Sequence, residues 1–373
     1  MTPSLSLGGA ESAMYRLILN SHSHSHTVIC LNNVGPYEAM YQEIDVPVVV
    51  LNMKSNRVPI LILIQLYREI KRIDPDVVQA WMYHGNLIGG VVARLAGVGR
   101  VIWGIRLSNP LNGQIKKSTR FVNHLSAKFG ASVPDLIISC ATKATYEHIK
   151  MGYPSRKFAT IHNGYDTEIL KYNEQDRDTY RNLWGVKFST TVFGIVARWH
   201  PQKDHRTLIK ALKKLSEIPC GDWKCVFIGT GLTEDNSDLM RLILDFDLED
   251  KCILQGEMID IKGVFSALDV NVLTSKDEGF PNVIAEAMAC GVPCISTDVG
   301  DAKLIIADTG WVVPVGEPES IKEALIASTE SKANQHEWLE RKNQCRARIV
   351  DQFGIRRMVS KFEHVWTSGS IGE

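Results

Sequence analysis

The sequence predicts an α/β protein of two doubly wound, Rossmann-like domains facing across a cleft. The first observation is length: 373 residues suit two domains of ordinary size. The second is rhythm: short apolar runs alternate with longer amphipathic stretches, the pattern of a parallel sheet covered on both faces. The third is that polar and glycine-rich segments follow the apolar runs, where such folds carry their ligand loops.

The elements follow in order. In the first domain HTVICL (26–31), VPVVV (46–50), DVVQAW (76–81), RVIWGI (100–105) and DLIISC (135–140) read as strands. Residues 58–72, 84–97 and 142–150 read as helices between them. A polar stretch after KFATIHNGYD has little β character, so the first domain is set at 1–170 and an interdomain crossover at 171–187. A second series fills 188–350: STTVFGIVA, WKCVFIG, KCILQG, LDVNVL, VPCIST and WVVPV as strands, with helices at 204–216, 282–290 and 318–329. The tail 333–367 is helical, anchored by Trp338, Phe353, Phe362 and Trp366. Gly8 and Gly9 arrive after only seven residues, so the first strand is expected to be shortened or missing.

Composition narrows the function. Hydrophobic residues make up 45% and charged residues 23%, a globular balance. The 42 basic and 42 acidic side chains cancel, which argues against a nucleic-acid partner. The halves differ: 20 basic and 14 acidic residues through Leu183, 22 and 28 beyond it. An anionic partner for the first half or scatter over two surfaces accounts for this equally. No apolar run is long enough to span a bilayer, and MTPSLSLGGAES lacks the charged and apolar regions of a signal peptide. The eight cysteines form no CxxC and read as buried free thiols of a reducing compartment. The SHSHSH tract reads as a polar turn, with metal binding by His22, His24 and His26 as the alternative.

The most informative stretch is residues 276–300, KDEGFPNVIAEAMACGVPCISTDVG. Glu278 belongs to a loop at a strand end and Glu286 to the first turns of the next helix. Between them Gly279, Phe280, Pro281 and Asn282 gather backbone N–H groups at a helix N-terminus, where a phosphate can rest. The carboxylates can then accept hydrogen bonds from sugar hydroxyls. Arg198 and Lys203, in ARWHPQK, put two cations beside another strand end and suit a diphosphate leaving group. Gly229 and Gly231 allow backbone to approach a ligand, and 252–256 either lines a base pocket or packs the core.

These motifs, with NG-x-D at Asn163, Gly164 and Asp166 and GGAE at 8–11, resemble the family-4 glycosyltransferases, retaining enzymes of the GT-B type. The resemblance covers nearly the whole chain and is strongest over 190–316. It implies that Glu278 contacts the transferred sugar, Glu286 the ribose hydroxyls, and Arg198 and Lys203 the diphosphate. It implies that amides of 279–282 hold phosphate, that Gly8 and Gly9 approach donor and acceptor, and that the final helix, 351–373, packs back toward the first domain. Many members carry a histidine after the strand that here reads RVIWGI; this chain has Arg106 in that loop. Arginine cannot be a general base at neutral pH but can contact phosphate or an acidic sugar, unless it is a surface-loop residue. His84 either orients the acceptor or caps the following helix.

The resemblance further implies transfer of a hexose or N-acetylhexosamine from a nucleotide-sugar, with UDP as the expected nucleotide, to a hydroxyl of a glycan or lipid-linked saccharide. Front-face attack with retention needs no carboxylate nucleophile and no obligatory metal or cofactor, and no DxD-type metal site stands out. The expected setting is the cytoplasm, with peripheral contact to the anionic inner face of the cell membrane in surface-polysaccharide synthesis. Basic clusters at Lys54, Arg57, Arg68, Lys71 and Arg72, and at Lys116, Lys117, Arg120 and Lys128, suit such contact or are ordinary solvated faces. A GT-B nucleotide-sugar epimerase or hydrolase, a phosphorylase-like enzyme and a catalytically silent nucleotide-sugar-binding protein are the alternatives.

Overall fold

A computed structural model describes residues 1–32, 34–53, 59–107 and 117–370. Lys54, Arg57 and Lys116 of the basic clusters lie outside the described residues. The chain divides into two compact units, Met1–Gly164 with Ile355–Glu373, and Tyr165–Gly354.

The first unit has strands β1 (Val28–Cys30), β2 (Val48–Val50), β3 (Val77–Trp81), β4 (Arg100–Ile105), β5 (Leu136–Ser139) and β6 (Phe158–Thr160). They pair in parallel as β1-β2 and β3-β4-β5-β6. Thr2 bridges Cys30 in parallel, and the Trp81 N–H donates to the Met1 carbonyl at 2.9 Å. Met1 and Thr2 thus occupy the place between β1 and β3. This two-residue stub stands where the sequence reading expected a first strand that is shortened or missing.

Its helices are α1 (Gly9–Asn20), α2 (Pro36–Glu43), α3 (Ile60–Ile73), α4 (Met82–His84), α5 (Gly90–Leu95), α6 (Lys117–Phe129) and α7 (Thr142–Lys150). One π-helical turn, Gly85–Gly89, joins α4 to α5. Alternation along the strands sends neighbouring side chains to opposite faces. On β4, Val101, Trp103 and Ile105 pack with Leu66 and Ile70 of α3, Val92 and Ala93 of α5 and Ala127 of α6. Ile102 packs on the other face, with Ala13 and Leu17 of α1 and Phe362 of the C-terminal helix Ile355–Ser368. Each fully buried large side chain contributes about 1.5–3 kcal/mol.

The second unit carries β7 (Thr191–Val196), β8 (Trp223–Ile228), β9 (Cys252–Gly256), β10 (Val270–Leu273), β11 (Cys294–Thr297) and β12 (Trp311–Val313). They form one parallel sheet, ordered β12-β11-β10-β7-β8-β9. Its helices are α8 (Glu174–Leu183), α9 (His205–Ser216), α10 (Ser237–Asp245), α11 (Ile261–Ala267), α12 (Asn282–Ala289), α13 (Ala302–Ile306), α14 (Pro318–Ala333) and α15 (Gln335–Phe353). Phe193 and Phe227 anchor a core closed by Leu208 and Leu212 of α9 and Leu325 of α14.

The polar stretch read as a crossover contains α8, within this unit. Asn173 caps it by accepting the Asp176 N–H. Its buried side chains are Arg177 and Arg181, which reach Asp269 at 2.8 and 3.4 Å, while Lys332 of α14 lies 2.7 Å from the same carboxylate. Burial pushes the Asp269 pKa up, but Lys332, Arg177 and Arg181 outweigh it and hold the carboxyl below its usual value.

All eight cysteines are free thiols; Cys220 and Cys252 are half-buried and the other six buried. In the histidine tract, His24 and His26 meet the Trp366 ring edge-on at 5.4 Å. Among the described residues no group of three or more His, Cys, Asp or Glu side chains could hold a metal ion.

Candidate functional site

In the second unit, the residues singled out from sequence follow the carboxyl ends of three adjacent strands, β10, β7 and β8. Arg198 and Lys203 follow β7, Gly229 and Gly231 follow β8, and 278–282 follow β10. Parallel strands end on one edge, so these segments share that edge.

Lys203 ends a short 3-10 turn, Pro201–Lys203, opened by Pro201. Its Nζ lies 2.6 Å from Glu278 Oε1, and both side chains are largely buried. The Ser275 hydroxyl donates to the same oxygen at 2.7 Å. Two backbone contacts hold the loops together: Gln202 Nε2 donates to the Asp277 carbonyl at 2.6 Å, and the Lys276 N–H donates to the Gln202 carbonyl at 2.8 Å. The Thr274 hydroxyl donates to the Lys203 carbonyl at 2.9 Å. Sequence reading assigned Lys203 and Glu278 to phosphate and sugar separately; the structure pairs them. Arg198 is exposed at the end of β7. Desolvation first, then the nearby Arg198 and Lys203, hold the neighbouring His200 below its ordinary pKa. Burial, with Lys203 adding to it, pushes His205 down to about 4, so it is neutral near pH 7.

The loop 278–282 is set by its neighbours. Gly300 has φ +52, and a Cβ there would lie 2.1 Å from the Gly279 carbonyl oxygen. The Asp301 N–H donates to that carbonyl at 3.1 Å. The Phe280 side chain is buried between Tyr165 and Phe353, with ring centroids 6.4 and 5.5 Å away. Only its backbone can face a ligand. Asn282 opens α12, and its Oδ1 accepts the Tyr165 hydroxyl at 2.5 Å. Glu286 is half-buried on α12, four residues after Asn282 and so on the same helix face. Gly229, at φ +138, lets its backbone approach Ala197; a Cβ would lie 2.1 Å from the Ala197 carbonyl oxygen. Gln202, Thr274, Ser275, Gly300 and Tyr165 were not picked out from sequence. Gly300, within DVG, lay in the same informative stretch as Gly279, but only the fold shows that the two backbones meet.

In the first unit a second set follows the stub, β3 and β4, again adjacent strands. Gly8 and Gly9 open α1, with Gly8 at its N-cap; Glu11 of the first turn accepts the Ser4 hydroxyl at 3.1 Å. Met82, after β3, has φ +63, a conformation that non-glycine residues adopt only under constraint. His84 is half-buried and burial lowers its pKa. Its side chain makes no cap hydrogen bond, which corrects the capping alternative. The next residue, Gly85, begins the π turn.

Arg106 departs most from a solvated loop residue. Its guanidinium carbon lies 4.0 Å above the centre of the Trp81 ring, and Nη1 donates to Asn163 Oδ1 at 2.6 Å. Trp81 in turn stacks on Phe362 at 6.2 Å and 15°. Asn163 is buried. The surface-loop alternative is therefore corrected: a planar, delocalised cation is fixed here by stacking and a charge-assisted bond. That link also gives the Asn163 of NG-x-D a structural partner.

The chain resembles known proteins over both units. The family described as Glycosyltransferase Family 4 matches residues 7–169, and Glycosyl transferases group 1 matches 190–330. An Escherichia coli UDP-Gal:alpha-D-GlcNAc-diphosphoundecaprenol alpha-1,3-galactosyltransferase is 29% identical over 311 residues, 82% of this chain and 78% of that protein. Among solved structures, Anabaena HepE in complex with UDP superposes with a TM-score of 0.85 at 19% identity, covering 98% of each chain. HepE in complex with UDP-glucose superposes at 0.82, with 18% identity and 97% of each chain covered. The chain therefore has the GT-B fold of two Rossmann-like domains and is homologous to the family-4 glycosyltransferases.

Proposed function

We propose that this protein is a retaining glycosyltransferase. It moves a hexose or N-acetylhexosamine from a UDP-sugar to a hydroxyl of a glycan or lipid-linked saccharide. The observation that carries the reading is the paired Lys203 and Glu278 beside the N-terminus of α12, one cation and one carboxylate at a ready anion site. The similar Escherichia coli enzyme named for UDP-galactose and a diphosphoundecaprenol acceptor supports the substrate class, as do UDP and UDP-glucose in HepE.

In this reading the α12 amides and Arg198 take the diphosphate, and Glu286 accepts hydrogen bonds from the ribose hydroxyls. Lys203 exchanges part of its Glu278 contact for phosphate oxygen, and Glu278 accepts from a sugar hydroxyl. As the glycosyl bond breaks, negative charge grows on the diphosphate, and cations fixed beforehand stabilise it without reorganisation. The acceptor hydroxyl attacks from the face the diphosphate leaves, and its proton passes to a diphosphate oxygen. Arg106, Gly8 and Gly9 face acceptor and donor phosphate, and His84 orients the acceptor. The setting is cytoplasmic, peripheral on the inner face of the membrane.

The test is a screen of nucleotide-sugars against a lipid-linked acceptor, read by product mass and then by anomeric configuration. The reading expects transfer from a UDP-sugar with retention. Inverted product overturns the mechanism, hydrolysis or epimerisation without transfer moves the protein to those classes, and donor binding without turnover marks a silent binding protein.

A further inference from the structure

Strand β3 stops at Trp81, and the chain that leaves it is irregular. Met82 takes φ +63, and Gly85–Gly89 form the π turn, a distortion of helix geometry that concentrates at functional sites. Two side chains tie this segment down. The Tyr83 hydroxyl lies 2.7 Å from His148 Nε2 of α7. Asn86, inside the π turn and fully buried, reaches the end of β4. Its Nδ2 donates to the Gly104 carbonyl at 3.0 Å, and the Gly104 N–H donates to its Oδ1 at 3.1 Å. Gly104 is the last β4 residue paired with β3, opposite Trp81. Asn86 therefore clamps the two strand ends where they part.

The clamp sits between two residues already singled out. His84 lies between the tied residues Tyr83 and Asn86, so its backbone is fixed from both sides. Two residues beyond Gly104 comes Arg106, whose guanidinium carbon lies 4.0 Å above the Trp81 ring. That stack joins the end of β3 to the loop after β4, so it needs the two strand ends at one separation and one stagger. A buried amide that exchanges a donor and an acceptor with a single backbone residue sets both. An ionised aspartate only accepts, and an apolar side chain of like size does neither.

We infer that Asn86 is a positioning residue for the acceptor side of the site: it holds Arg106 in its stack on Trp81 and fixes the backbone that carries His84, without itself touching substrate. The inference rests on the proposed transferase reading for its consequence, since that reading gives Arg106 and His84 their acceptor. Misplacing a substrate-orienting group by about 1 Å costs up to about 100-fold in rate, so a clamp one step removed from substrate carries a kinetic penalty when it is lost.

The experiment compares N86A and N86Q with wild type in the full chain, at a temperature well below each melting point. N86A removes both bonds, and N86Q carries the amide outward by one methylene. Gly104 keeps its pairing with β3 in either variant. The first readout needs no reaction: the Arg106 Nε–H signal in a nitrogen-15 spectrum, identified as the arginine signal missing from R106A. The Trp81 ring current displaces this signal in wild type, and both variants are expected to lose most of that displacement. The second readout is kinetic. N86A is expected to lower kcat/KM for the acceptor about 10-fold with the Kd for UDP unchanged, and to cost less than about 3-fold when R106A is already present. An Arg106 signal unchanged in both variants overturns the inference, as does a full N86A penalty in the R106A background. Loss of fold in both variants overturns it too, by making Asn86 a requirement of the sheet alone. If wild type transfers no sugar, the transferase reading fails, and the Arg106 signal by itself decides whether Asn86 holds the stack.

Discussion

Lys203 Nζ and Glu278 Oε1 lie 2.6 Å apart, although 75 residues separate them in sequence. The pair is largely shielded and further held by Ser275, so each charge is set in place before any ligand arrives. Replacing Lys203 by alanine is expected to lower kcat about 100-fold or more, the usual cost of removing one group that stabilises transition-state charge. A double-mutant cycle of K203A with E278A is expected to be strongly non-additive, because each single change strands the other charge. Steady-state kinetics of the three variants checks this; additive losses would show that the two act separately.

Arg106 is held by Trp81 and Asn163 through features that lysine cannot reproduce, a planar face and a directed N–H. R106A is expected to lower kcat/KM at least about 10-fold, and R106K is expected to recover little of it. Comparing the acceptor and donor KM values of the two variants reads which substrate the group serves. Unchanged kinetics would make Arg106 purely structural.

Gly300 gives the 278–279 loop its room. G300A is expected to displace that loop, since the added carbon would meet the Gly279 carbonyl oxygen at 2.1 Å and the backbone has φ +52. Donor affinity should fall more than acceptor affinity. Titration of nucleotide into folded G300A, checked by circular dichroism, tests this.

Asp269 balances three cations inside the second unit. D269N is expected to cost about 3–5 kcal/mol, since it leaves buried charge uncompensated. The folded pKa is depressed, so the stabilisation is complete above the unfolded value of about 3.9 and is lost as pH falls through the lower folded value. Urea melts of wild type and D269N should therefore converge as the pH drops below about 4. A constant gap across that range would contradict the assignment.

His148 adds a separate pH dependence. It is fully buried, Nε2 lies 2.7 Å from the Tyr83 hydroxyl, and burial brings its pKa down to about 4. A depressed histidine stabilises the fold above its unfolded value of about 6.5, and that contribution drains away down to about 4. H148Q is expected to melt lower at pH 7 and to flatten the decline in melting temperature between about pH 6.5 and 4. An unchanged slope would move the dependence elsewhere, with His205 the next group to test.

Much of this fold was legible because parallel strands buried on both faces read as unbroken apolar runs. Val28–Cys30 and the Leu136, Ile137 and Ile138 of β5 are examples, and α9 shows the helical period clearly. Helix α8 was not legible as a packed element, because what it buries is Arg177 and Arg181 rather than an apolar stripe. Strand β6 is three residues long and sat unnoticed inside KFATIHNGYD. The segment from Glu278 to Glu286 could be read as a site because its chemistry is local: a loop, a helix start and two carboxylates in one stretch. The Trp81–Arg106–Asn163 link could not, since its members come from three distant segments and only the sheet brings them together.

The central claim is that the second unit holds a UDP-sugar through the segment 278–286. Calorimetric titration of UDP into wild type and E286A tests it most directly. The account predicts measurable binding by wild type and at least about a 10-fold weaker Kd for E286A, about 1.4 kcal/mol or more. Equal affinity in the two proteins, with E286A fully folded, would contradict it.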